Sequence, residues 1–82
     1  MGVAAYDRVS LHRDVPEHGL RAGDVATVVD RVPHPGGGEE GYVLEVFNAV
    51  GDSIAVVVVP ASAVEPLRAD AVLCVRPLAA AA

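Results

Sequence analysis

The residues of this 82-residue chain that could do chemistry are three histidines, a pair of adjacent glutamates and one cysteine. A zinc site needs three or four donors converging on one point. His12, His18 and His34 fall at a strand end, in a loop and at a glycine-rich tip, a spacing that does not bring them together. No metal and no cofactor is expected. Glu39 and Glu40, with Asp24 and Asp52, are the carboxylates from which an acid–base pair would be drawn. That work needs a carboxyl whose pKa is raised by burial. Carboxylates beside Gly36-Gly37-Gly38 are expected to be solvated instead. Ser10, Ser53 and Ser62 stand in no nucleophile elbow. The glycine run is no phosphate loop, because no helix follows it and no Lys-Ser or Lys-Thr pair is present. Cys74 lies in the apolar run Val72-Leu73-Cys74-Val75 and reads as a small buried hydrophobe rather than a reactive thiol. The chain is expected not to be an enzyme.

Charge narrows the partners. The formal net charge is −5, there is no lysine, and the six arginines are scattered. Nucleic acid is held by clustered cations that displace counterions from phosphate, so nucleic-acid binding is not expected. An anionic membrane surface is disfavoured for the same reason. The longest apolar run, residues 54–61, is strand-sized and too short to cross a bilayer. The first residues lack the basic segment and apolar core of a secretory signal, so a cytoplasmic location is expected.

The elements that must position any site are strands. Hydrophobic residues make up 52% of the chain, much of it valine, whose branched Cβ suits a pleated surface. Residues 6–12 alternate with period two and put Val9 and Leu11 toward a core. Residues 14–24, punctuated by Pro16, Gly19 and Gly23, form a long loop of at least two turns, pinned by Leu20. Residues 25–32 and 42–48 are the second and third strands, separated by a mobile tip at residues 33–41. Within the third, Tyr42, Leu44 and Val46 share a face. A tight turn at residues 49–52 leads to a fourth strand, residues 53–59, so apolar that burial on both faces is expected. Residues 60–66 suit a single 3₁₀ turn, and residues 64–67 a short closing strand. Residues 70–78 read as a further strand and residues 79–82 as a frayed tail. The expected fold is all-β: one domain over residues 1–82, a small five-stranded SH3-like barrel with its core at residues 6–68 and an extra C-terminal strand.

The run from Asp14, through Pro16, Leu20 and Gly23, to Val28-Val29 resembles the opening of a family of small bacterial proteins, domain of unknown function 4926. Members resemble D-x-P-x-x-x-L-x-x-G-x-x-G-x-V-V, followed by a glycine-tipped loop, Y-x-V-E-F and a V-x-x-L close. Residues 41–47 and 58–67 answer to the later parts. Ala26 departs from the pattern, where such sequences carry glycine. The resemblance covers residues 6–68 and implies a fold but no activity or ligand. Gly23-Asp24 and the strand behind it are also similar to the start of KOW barrels, which keeps an RNA or ribosomal role as an alternative.

Binding residues tend to sit on loops held by a rigid scaffold. Tyr6, Glu17, His18, Arg21, Asp24 and Tyr42 are the candidate contacts, and Val72 and Cys74 the candidate self-association interface on the last strand. An acidic barrel without a catalytic constellation suits a basic protein partner. The expected role is a non-catalytic interaction module, an accessory, antitoxin-like or immunity-like partner of a larger protein. A structural subunit that self-associates as a homodimer is the alternative.

Overall fold

A computed structural model describes residues 3–33 and 38–78. Five strands appear among them: β1 (Arg8–Leu11), β2 (Val25–Val32), β3 (Gly41–Phe47), β4 (Ser53–Pro60) and β5 (Val64–Pro66). Two 3₁₀ turns, Pro16–His18 and Ala61–Ala63, complete the regular structure. The strands form one antiparallel sheet in the order β4-β3-β2-β1-β5, the order of an SH3-like barrel. β2 is long enough to serve both halves of the curled sheet. Its pairing with β3 shifts register between Val28 and Asp30, and a bulge of this kind bends a strand.

Side-chain alternation decides which residues enter the core. Val9 and Leu11 of β1, Ala26 and Val28 of β2, Tyr42, Leu44 and Val46 of β3, and Val57 and Val59 of β4 are buried. Val15 and Leu20 from the loop, with Ala63 and Val64, close the cluster. The expected period-two faces of β1 and β3 and the anchoring role of Leu20 hold as read.

Five expectations need correction. Residues 70–78 form no strand; they lack regular structure from 71 onward, with Val72, Leu73 and Val75 exposed. A valine-rich run looks like a strand locally, but a strand exists only where a neighbouring edge accepts it. Cys74 is accordingly exposed rather than buried. β4 is buried on one face only, because the core packs against one side of the single sheet and Ile54, Val56 and Val58 point to the other. A second 3₁₀ turn sits in the first loop, where Pro16 supplies a preset φ at its start. β1 also begins at Arg8, after a turn in which Tyr6 has a φ of 68°. Of the tip expected to be mobile, residues 34–37 lie outside the described residues, as do residues 79–82.

Candidate functional site

The loop between β1 and β2 is held open-ended by its own backbone. Val15 and Leu20 exchange two N–H to carbonyl bonds, at 2.9 and 3.2 Å. Leu20 plugs the core between them. Gly19 follows the 3₁₀ turn with a φ of 70°, a left-handed conformation that glycine adopts without penalty. Gly23, at φ 93°, then turns the chain into β2 and delivers Asp24. Two carboxylates lock this return. The Ala22 N–H donates to Asp14 Oδ1 at 2.9 Å, and the Arg21 N–H donates to Asp24 Oδ2 at 2.8 Å.

Asp24 then meets Arg76. The guanidinium Nε donates to Asp24 Oδ1 at 2.9 Å, and Nη2 donates to Asp24 Oδ2 and, at 3.2 Å, to the Gly19 carbonyl. The two side chains are 25% and 19% exposed, so the pair is largely shielded from water. Burial pushes the Asp24 carboxyl up. Hydrogen bonds from Arg76 and the Arg21 amide, helped by both positive charges, outweigh it and hold the pKa below its ordinary value. The hydrogen bond to Asp24 raises the Arg76 pKa against the opposing effect of desolvation.

The candidate contacts divide accordingly. Glu17, His18, Arg21 and Asp24 share the one loop, with Glu17 and Arg21 exposed. The His18 Nε2 lies 3.3 Å from the Val58 carbonyl of β4 and donates to it in the tautomer that carries the proton there. Tyr6 is exposed but stands apart, its amide bonded to the Val28 carbonyl in mid-β2. Tyr42 is buried in the core and presents little to a partner. Val72 and Cys74 are exposed on the irregular tail, not on a strand.

The carboxylates do not assemble an acid–base pair. Glu39 accepts hydrogen bonds from the side chain and the backbone N–H of Ser62, which lower its pKa, the opposite direction from a general acid. Glu40 faces Arg31 at 3.8 Å, and Asp52 belongs to the hairpin turn with Asn48. Among the described residues no three of His, Cys, Asp and Glu converge to hold an ion, and His34 lies outside them.

The surface that sequence reasoning missed is β4. In an antiparallel ladder a residue's N–H and C=O point to the same side. The Ala61 N–H bonds to the Glu40 carbonyl, which continues the hydrogen-bonded set through Tyr42–Val59 and Leu44–Val57. Val56 and Val58 therefore aim their amides away from β3. Their side chains are 61% and 51% exposed, and Ile54 beside them is 42% exposed. The strand carries no charge from Ser53 to Pro60. Pro60, which has no N–H, ends the free edge, and the His18 ring covers the Val58 carbonyl.

No helix among the described residues is long and apolar enough to cross a membrane. No curated protein matches the chain, and no solved structure matches it. A family model, domain of unknown function DUF4926, matches residues 5–66, from the turn before β1 to the end of β5. That match spans the whole sheet and most of the sequence, and it stops short of Arg76: the chain belongs to the DUF4926 family.

Proposed function

We propose that this chain is a non-catalytic protein-interaction module of the cytoplasm, an accessory partner of a larger protein, which it engages by accepting a strand on the free edge of β4. The supporting observation is the edge itself. Proteins blunt sheet edges with charge, proline or a covering loop, because unpaired amides invite another chain. Here Val56 and Val58 combine outward amides with exposed apolar side chains and no nearby charge on their own strand. Strand addition draws affinity from the backbone and specificity from alternate side chains. The net charge of −5 favours a partner whose rim is basic.

Affinity capture from the native lysate, with the wild-type chain and a Val56→Lys/Val58→Lys chain side by side, tests this reading. Both substitutions lie on the exposed face and leave the core unchanged. A protein retained in stoichiometric amount by the wild type and lost by the variant is the expected result. A protein retained equally by both would place the contact elsewhere.

The same edge favours one second reading, self-association. An uncharged strand of valines is self-complementary and can pair with its copy about a two-fold axis. Light scattering then finds a wild-type dimer and a monomeric double variant.

A further inference from the structure

The segment beyond β5 is tied to the barrel at very few points. The Leu67 N–H bonds to the Arg8 carbonyl of β1 at 3.2 Å, a turn within the segment joins the Ala71 N–H to the Arg68 carbonyl at 3.0 Å, and residues 71–75 then run without regular structure. The chain returns at Arg76, which closes on Asp24 and Gly19, and at Leu78, which packs against the core cluster. Between them it stands off the sheet. An open groove of about 700 Å³ remains, with Thr27, Val46, Phe47 and Ile54 on the barrel side and Leu73 and Val75 on the tail side.

The seat for the guanidinium is assembled without the tail. Asp24 is aimed by the Arg21 amide, the Ala22 amide is fixed by Asp14, the left-handed Gly19 sets its carbonyl, and Leu20 roots the loop in the core. A planar fork of donors matches two carboxylate oxygens and a carbonyl in a way that a lysine ammonium does not. A seat formed by the loop's own bonds is thus filled by a segment without regular structure.

We propose that the Gly19–Asp24 seat is a binding site for an arginine-bearing, extended apolar segment of a protein partner, and that Arg76-Pro77-Leu78 fills it in cis until such a segment displaces it. Charge complementarity selects the occupant. The seat offers a carboxylate with Asp14 nearby on a chain of net charge −5, and the groove beside it is apolar. The segment already seated there shows the pattern that fits: an arginine followed two residues later by a leucine. The guanidinium seat is built from the loop before β2, with only Ile54 of β4 lining the groove beside it, so it is tested apart from the β4 edge.

The test is a nuclear magnetic resonance titration of the isotope-labelled full chain with a synthetic peptide of the sequence of residues 71–78. An Arg76→Ala chain, whose seat is vacated, should bind the peptide with shifts centred on the Gly19, Leu20 and Asp24 amides. The wild type should need roughly tenfold more peptide or beyond, because its tethered strap competes at high effective concentration. A peptide with alanine in place of its arginine should shift nothing, and an Asp24→Asn/Arg76→Ala chain should not respond to either peptide. An unresponsive Arg76→Ala chain, or an equal response to both peptides, overturns the proposal. A wild-type dimer that Arg76→Ala converts to monomer also overturns it, by assigning the seat to the exchanged tail of a second copy.

Discussion

Arg76 and Asp24, 52 residues apart in the chain, meet side by side, with Nε donating to Oδ1 at 2.9 Å. The contact closes the C-terminal segment over the loop that precedes β2. Arg76 lies beyond the region shared with the family, whereas Asp24 lies within it. The clasp is therefore an addition to a barrel that is complete at β5.

Removing the arginine should free the tail and leave the barrel. Arg76→Ala is expected to bring residues 71–78 to the exchange rates of an open chain. The amides of Val9, Leu44 and Val57 should keep their protection, because their partners lie within the sheet. Hydrogen exchange read residue by residue checks this. Loss of protection throughout the sheet would show that the tail holds the fold together.

Acid should undo the same contact. The Asp24 carboxyl is held below its ordinary value of 3.8 in the folded chain. A group depressed on folding contributes stability that is present above its unfolded pKa and is lost as pH falls through the folded one. The clasp is then intact at neutral pH and releases with a midpoint below 3.8. The Arg76 Nε–H resonance followed through an acid titration reports it. Release at pH 5 or above would contradict this account of the pair.

Two leucines should matter for different reasons. Leu44 is fully buried at the centre of β3, and Leu20 is buried beneath the loop. Replacing either by alanine leaves a cavity and costs about 2–5 kcal/mol. Leu20→Ala should in addition loosen Arg76, because the seat loses its root. Chemical denaturation gives the stability, and exchange of the Arg76 side chain gives the second effect. Leu44→Ala should show only the first.

Gly23 offers a backbone test. It has a φ of 93° and nothing within 4 Å of where a Cβ would sit. Alanine there meets no neighbour, so its whole cost, about 1–2 kcal/mol, comes from the left-handed backbone. The strain falls on the residue before Asp24 and should weaken the clasp as well. Asparagine, which tolerates that region, should cost less than alanine at the same position. Thermal unfolding of the two variants separates them.

The sheet was largely legible because its signals are local. Alternation in residues 42–46 names the buried face of β3, and a lone leucine among polar and glycine residues marks the loop anchor. Apart from the local turns at Tyr6 and Pro16, the corrections arise from long-range geometry. Val72 to Val75 has the composition of a strand but pairs with neither edge of the sheet. The valines of β4 do not reveal which face is covered, since that depends on which side of the sheet the core packs against. Asp24 was legible as a candidate contact, whereas its partner was not, because nothing near Arg76 in the sequence points back to the loop. Tyr42 was ambiguous for the opposite reason: its ring suits a binding surface and a core equally, and β3 turns it inward.

The central claim is that β4 offers an open edge to a partner, and hydrogen exchange at that strand tests it most directly. The Val56 and Val58 amides should be compared with those of Val57 and Val59, in the free monomeric chain and in the complex captured from native lysate. The account predicts fast exchange at Val56 and Val58 in the free chain, slow exchange at Val57 and Val59, and protection of all four in the complex. Val56 and Val58 already protected in the monomer, or unchanged in the complex, would contradict it.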